Sequence, residues 1–256
     1  MPKNLIIAVL LSFVLFPFAS FAHGGDEARV EIEPEVAATV SAGKIDYIFE
    51  LVDNVQKIPL TDRDLNVEMT KLLHFIAYDE ALAEFQHVHP AFKNGQWHVE
   101  LNFSKSGTYW LWAQGQVKNG GVDFAASSQL TITGGQSANP TPPTLSDRRK
   151  GNDRNSVVTL SNDVIHAGKM AMLMLTYSRN DGSKPEITPY LGALAHITAV
   201  SDDGDSMVHV HPMGTALPNQ LMVHTQFATA GLYRVWVEFV DGGTKKLVPL
   251  AVEVQP

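Results

Sequence analysis

The chain has 256 residues, of which 45% are hydrophobic, so it is long enough for about two domains of ordinary size with their own cores. Its formal net charge of -8 excludes the basic surface that nucleic-acid binding requires, and we expect no nucleic-acid partner. The absence of cysteine excludes disulfide bonds and thiolate metal sites.

The N-terminal segment has the pattern of a secretory signal peptide. Lys3 supplies a positive charge, an apolar stretch runs from Leu5 to Phe18, and Ser20-Phe21-Ala22 places small residues at the -3 and -1 positions of a cleavage site. The apolar stretch is shorter than the about 20 residues that a membrane-spanning helix needs. We therefore predict a signal peptide over residues 1–22, cleaved after Ala22, and a periplasmic or secreted mature chain without a membrane span.

The first predicted domain covers residues 23–134 and begins with a flexible tail. Short alternating apolar runs separated by turn residues predict β-strands, and Asp79 to Phe85 is the only short helical candidate in the chain. This domain contains a histidine pattern in which His74 is followed, after twelve residues, by His87-Val88-His89-Pro90. The pattern introduces a candidate site because imidazole is the commonest metal ligand in proteins.

A linker is predicted next, over residues 135–155. It contains three prolines, Pro140, Pro142 and Pro143, and a charged stretch from Asp147 to Arg154. This composition is typical of a polar, proline-stiffened and extended connection.

The second predicted domain, residues 156–256, repeats the histidine pattern with His196, His209 and His211. The two patterns contain six of the ten histidines, and Ala42-Gly43-Lys44 also matches Ala167-Gly168-Lys169. A period above one hundred residues indicates tandem domains, because solenoid repeats have about 20–50 residues. The predicted fold class is therefore all-β, with two tandem immunoglobulin-like β-sandwich domains after the signal peptide.

A hairpin is predicted to bring the second set of histidines together. The Asp/Gly-rich segment 201–205 predicts a turn, which places His196 opposite His209 and His211 on the neighbouring strand. Residues two apart share a face of a strand, so the three imidazoles point the same way. The other face is apolar and is expected to line the core, which leaves the histidines on an outer or edge face. The first set follows the same pattern.

Three imidazoles with an open position suit Cu(II) or Zn(II). Met213 and Met207 add soft thioether groups beside the second set, and these favour copper over zinc. His98 and His224 are candidates for further ligands, whereas Met170, Met172 and Met174 are interpreted as core residues. The predicted metal ligands are His196, His209, His211 and Met213 in one site and His74, His87 and His89 in the other.

Two other interpretations remain open. In the first interpretation, the histidines are structural hydrogen-bonding groups. The chain is then a non-catalytic envelope module that recognises another envelope protein through a strand edge. In the second, a three-histidine site activates water in a metalloenzyme. The enzyme ranks last, because no acidic residue stands out as a general base and no nucleophile–base pair is visible.

The second domain combines Tyr190-Leu191-Gly192, the histidine pattern and Gly231-Leu232-Tyr233. With these motifs, about Ser183 to Val254 resembles a family of bacterial secreted immunoglobulin-like domains that are often encoded near genes for heavy-metal handling. The first domain keeps the histidines but has Thr70-Lys71-Leu72-Leu73 in place of the Tyr-Leu-Gly motif. The resemblance implies a metal-associated periplasmic binding domain for resistance, buffering or delivery, without an established reaction.

Overall fold

The computed structural model describes residues 29–68, 70–137, 146–214 and 217–256, without the side chains of His209 and His211. The predicted signal peptide, residues 1–22, lies outside the described residues. Residues 138–145 of the predicted linker also lie outside them. In the described ranges, no helix has the length and hydrophobicity that would let it cross a membrane.

The first half of the described chain consists of eleven strands. They are β1 (Val30–Pro34), β2 (Thr39–Ser41), β3 (Gly43–Asp53), β4 (Ile58–Pro59), β5 (Leu65–Asn66), β6 (His74–Asp79), β7 (Phe85–Val88), β8 (Ala91–Lys93), β9 (Gln96–Phe103), β10 (Gly107–Val117) and β11 (Val122–Thr133).

The second half consists of ten strands. They are β12 (Lys150–Asp153), β13 (Ser156–Leu160), β14 (Ile165–His166), β15 (Met170–Arg179), β16 (Ile187–Thr188), β17 (His196–Ser201), β18 (Met207–Gly214), β19 (Gln220–Gln226), β20 (Gly231–Asp241) and β21 (Thr244–Gln255).

Each half is a two-sheet sandwich with the same strand order. In the first repeat one sheet has the order β1-β3-β9-β8 and the other the order β2-β11-β10-β6-β7, with β2 parallel to β11. In the second repeat β13-β15-β19-β18 faces β14-β21-β20-β17-β18, and β14 is parallel to β21. Strand β18 belongs to both sheets of its repeat, because it pairs with β17 along its first part and with β19 along its last. The chain is thus all-β, with two tandem immunoglobulin-like sandwiches.

The two cores lie between the sheets and are built from alternating apolar residues. In the first repeat Phe49, Phe75 and Leu111 are fully buried in one cluster. In the second, Leu175 and Tyr233 belong to the equivalent cluster. Burial of this apolar surface from both inner faces is the main stabilising contribution to each sandwich.

The helical candidate from Asp79 to Phe85 is wrong, because this segment is the turn between β6 and β7. The carboxylate of Asp79 accepts hydrogen bonds from the backbone N–H groups of Ala83 and Glu84 at 2.7 and 2.9 Å. A short acidic side chain that caps its own turn in this way competes with helix formation.

The interpretation of Met170 and Met172 as core residues is also wrong, since they are 60% and 53% exposed. Aligning the repeats on their Ala-Gly-Lys motifs slips the strand β15 by one residue. The pairing shows the true equivalence, because Tyr47 lies opposite Val99 and Leu173 lies opposite Val223. A slip of one residue moves every side chain of a strand to the other face of the sheet.

The end of the predicted linker is part of the second sandwich. Strand β12 pairs with β13, and Gly151 lies against the backbone of Pro249, where an added Cβ would come within 2.5 Å of the carbonyl oxygen. Residues 150–153, which the sequence places in the linker 135–155, therefore extend the sheet of the second repeat.

The two sandwiches pack against each other through the outer faces of the sheets that contain β6 and β17. A separate apolar cluster joins them, with Tyr78 and Trp112 from the first repeat and Trp236 from the second. The Tyr78 hydroxyl donates to the backbone oxygen of Gly204 at 2.7 Å and accepts from Trp112 Nε1 at 2.8 Å. Both β6 and β17 are consequently buried on both faces.

Candidate metal centre

The first histidine set converges at the boundary between the repeats. His74 begins β6, His87 lies in β7, and His89 follows directly after β7. His74 Nδ1 is 3.1 Å from His87 Nε2 and 3.2 Å from His89 Nε2. Nitrogens bound to one tetrahedral ion at about 2.0–2.1 Å lie about 3.3 Å apart. The ligand nitrogens of all three rings lie within 4.8 Å of one another, so these three histidines, which we call the histidine triad, are placed to hold one ion.

The far nitrogens of two of these rings have fixed partners. His74 Nε2 donates to the backbone oxygen of Glu68 at 3.1 Å, and His87 Nδ1 donates to Glu238 Oε2 at 2.8 Å. A carbonyl or carboxylate oxygen only accepts, so these nitrogens carry the ring hydrogens in the neutral imidazoles. The lone pairs of His74 Nδ1 and His87 Nε2 consequently face each other, which is the orientation that outer partners give to metal-ligating histidines.

Burial favours the neutral forms of His74 and His89. Loss of solvent is the main cause that lowers the pKa of His74 from 6.5 to about 4. The hydrogen bond with the backbone oxygen of Glu68 opposes this shift, and the nearby His87 contributes to it. The same causes, burial first and His87 second, lower the pKa of His89 to about 2. Neutral imidazole is the form that binds metal, so proton competition at His74 and His89 begins well below the ordinary histidine pKa of about 6.5.

Glu238 reaches the triad from the second repeat. Burial alone would raise its pKa, but the hydrogen bond from His87 and the ion pair with Lys245 lower it below the usual range. The carboxylate therefore remains charged beside His87, and it links the two repeats at the site. The sequence interpretation named no acidic partner, although Glu238 is the single charged residue within the apolar strand segment 235–239. That isolated charge is the feature that could have identified it.

The second set is placed in part. His196 is buried, and its Nε2 donates to the backbone oxygen of Tyr190 at 3.0 Å, as His74 Nε2 does to Glu68. Within the described residues its buried Nδ1 has no hydrogen-bond partner. The His196 ring centre is 5.0 Å from that of His87, so a fourth imidazole borders the triad.

The hairpin predicted for this set forms between β17 and β18, with Thr198 opposite His209. Strand β18 then pairs with β19, where His211 lies opposite His224. The side chains of His209 and His211 lie outside the described part of the chain, so their role as ligands stays a prediction. Met213 is 56% exposed beside a β-bulge, whereas Met207 is buried in the apolar cluster between the repeats.

The expectation that the histidines face outward at an edge is wrong for His74, His87 and His196. They do lie on the sheet faces away from the cores, but these faces are buried against the other repeat. His98 does not join the triad, because it lies on the outer face of the other sheet, where its Nδ1 donates to Asp46 Oδ2 at 3.0 Å. His224 lies on the corresponding outer face of the second repeat.

Comparison with protein families finds one model, described as Domain of unknown function (DUF8832), which matches twice, over residues 19–133 and 151–256. No curated protein sequence matches the chain significantly.

Among solved structures, the chain is similar to fibronectin(III)-like modules of Clostridium thermocellum CbhA, with 12% identity over 88% of this chain and 94% of that one, at a TM-score of 0.24. It is also similar to invasin, a bacterial integrin-binding protein, with 12% identity over 88% of this chain and 39% of that one, at a TM-score of 0.26. These TM-scores are too low to define a common fold, so the fold assignment rests on the strand order.

Proposed function

The chain belongs to the family described as Domain of unknown function (DUF8832), and we propose that its two copies together form a non-catalytic, secreted metal-binding protein. The metal is copper or zinc, held at His74, His87 and His89, and the role is resistance, buffering or delivery. One observation carries the proposal. The outer partners of His74 and His87 leave the lone pairs of His74 Nδ1 and His87 Nε2 directed at a common point, and these two nitrogens lie 3.1 Å apart.

The donor set favours copper. All three groups are imidazoles, which suit both zinc and copper, and divalent copper binds a given nitrogen site more tightly than divalent zinc. The half-buried His89 is the most accessible of the three rings and therefore lies where an ion would enter. The second set, with His196, His209, His211 and Met213, is proposed as an additional site beside the triad.

The same contacts support a second candidate, in which the histidines hold the repeats together. The hydrogen bond from His87 to Glu238 joins residues 151 positions apart and is buried. In this case the chain is a rigid envelope module that binds another protein, and replacing a triad histidine lowers stability without changing metal uptake.

The test is a titration of the full mature chain with Cu(II) and with Zn(II) against competing chelators. His89→Ala is the informative variant, because it removes one triad nitrogen and leaves the contacts of His87 with Glu238 in place. His98→Ala is the matched control, since His98 lies on another sheet. We expect His89→Ala to lose the ion and His98→Ala to retain it. Equal binding by both variants, or a wild-type chain that binds neither metal, would rule out the triad as a metal site.

A further inference from the structure

The outer face of the sheet β13-β15-β19-β18 in the second repeat carries an unusual set of side chains. The residues of β15 and β19 that alternate with the core residues include Met170, Met172, Met174, Met222, His224 and Gln226. In this sheet Met172 lies opposite His224, and Met174 lies opposite Met222. We call these four residues the methionine face. Three of the eight methionines of the chain are thus gathered around one histidine.

Methionine is normally a buried residue that fills irregular gaps in a core. A group of methionines on the outer face of a sheet, with Met172 exposed and Met174 and Met222 half-buried, requires a reason other than packing. The core side of β15 is already filled by Leu173 and Leu175. Met172 is 53% exposed on the other side, and therefore contributes little to the stability of the sandwich.

The first repeat shows that the fold does not require methionine here. The pairs equivalent to Met172–His224 and Met174–Met222 are Asp46–Glu100 and Ile48–His98. On that face Lys44 pairs with Glu100 and His98 pairs with Asp46, each at 3.0 Å, as is ordinary for a solvated sheet. The two copies thus have the same strand pairing here. The first repeat has ion pairs on this face, and the second has thioethers at the equivalent positions.

The spacing of these residues suits a common ligand. Directly opposed residues of an antiparallel pair have Cβ atoms about 4.5–5.5 Å apart, and methionine has three rotatable bonds with which to bring its sulfur toward a neighbour. Thioether sulfur is a soft ligand that selects Cu(I), and imidazole is compatible with it. We propose that the methionine face is a binding site for Cu(I).

This site is separate from the histidine triad. The triad lies on the sheet face that packs against the first repeat, and the methionine face belongs to the other sheet, with the core of the second sandwich between them. Its donors are mainly sulfur rather than nitrogen. The proposal therefore goes beyond the function proposed above and stands if the triad binds no metal.

The experiment uses Ag(I), a redox-inert substitute for Cu(I), and the full mature chain labelled with carbon-13 at the methionine methyl groups. Zn(II) is added first, so that any imidazole site with zinc affinity is occupied. We expect a single Ag(I) ion to shift the methyl resonances of Met172, Met174 and Met222. The buried Met207 provides an internal control whose resonance stays in place. A Cu(I) titration under anoxic conditions with a competing chelator follows.

The variant is Met172→Leu combined with Met174→Leu. Leucine and methionine have similar volumes, so the substitutions preserve size. Both positions lie on the outer face, so the core residues are unchanged. We expect this variant to lose Ag(I) and Cu(I) binding at this face while keeping its response to Zn(II). Unshifted methyl resonances in the wild-type chain would overturn the proposal, as would unchanged Cu(I) affinity in the variant. Loss of Zn(II) binding in His89→Ala tests the triad separately, so the two proposals fail independently.

Discussion

The two outer faces of the second sandwich differ in burial and in chemistry. The face that contains β17 is covered by the first repeat and contains an imidazole and the carboxylate of Glu238, whereas the face that contains β15 is exposed and contains thioethers. Part of the hydrogen bonding of the covered face crosses the repeat boundary, as between His87 and Glu238. The exposed face has no such constraint, so its residues are free to diverge. The second sandwich therefore has two outer faces of different chemistry on one scaffold.

The largest expected effect comes from breaking the covered face. Trp236→Ala removes a buried ring that stacks on Phe85 with ring centres 4.6 Å apart. Replacing a buried tryptophan by alanine costs about 3–5 kcal/mol in the free energy of unfolding. Met172→Ala on the exposed face is the matched control, with an expected change within about 0.5 kcal/mol. Denaturant unfolding of both variants measures the difference. Similar losses in the two variants would mean that the repeats do not support each other.

The second effect tests the asymmetry between the repeats at the triad. Gln114 pairs with His74 as Glu238 pairs with His196, so one repeat supplies an amide where the other supplies a carboxylate. Glu238→Gln gives both repeats an amide at this position and weakens the hydrogen bond that His87 Nδ1 donates to residue 238. Loss of such an outer partner lowers metal affinity by about 10–100-fold. Gln114→Glu is the converse control and should not lower it. Competition titrations with Cu(II) measure both, and unchanged affinity in Glu238→Gln would remove Glu238 from the site.

The third effect is the pH dependence of stability that the covered face produces. Burial lowers the pKa of His74 from 6.5 to about 4, so between these values the unfolded chain binds a proton at this ring and the folded chain does not. The metal-free chain should therefore lose stability as the pH falls from about 6.5 to about 4. Thermal unfolding across this range measures the slope. His74→Asn should reduce the slope without abolishing it, because the lowered pKa values of His89 and His196 contribute in the same range. An unchanged slope in this variant would assign the pH dependence to other groups.

The sequence predicted most of the fold because its information was local. Alternating apolar residues, the Asp/Gly-rich turn after Ser201 and the two equal histidine spacings each depend on a few neighbouring residues, and the hairpins formed as expected. The exposure of Met172 was missed because a slip of one residue between the copies reverses the inner and outer faces.

The site was predicted only in part, since its completion depends on contacts between the repeats. His74, His87 and His89 lie within one hairpin, so their spacing predicted the triad. The partnership of His87 with Glu238 spans 151 residues, and no local pattern encodes how two sandwiches dock. The burial of the histidine faces follows from that docking, which is why an outward orientation was expected instead.

The smallest expected change in stability comes from transferring the methionine face to the first repeat. Asp46→Met, Ile48→Met and His98→Met together place three thioethers on β3 and β9, at positions equivalent to those of the second repeat. The only described interaction removed is the pair between His98 and Asp46, which lies on the surface and contributes about 0–1 kcal/mol. If thioethers at this spacing are sufficient for the site, the variant binds a second Ag(I) ion, visible as new shifted methyl resonances. Ag(I) binding unchanged from the wild-type chain would show that the site needs more than these sulfur atoms, and His224 would be the first group to add, as Glu100→His.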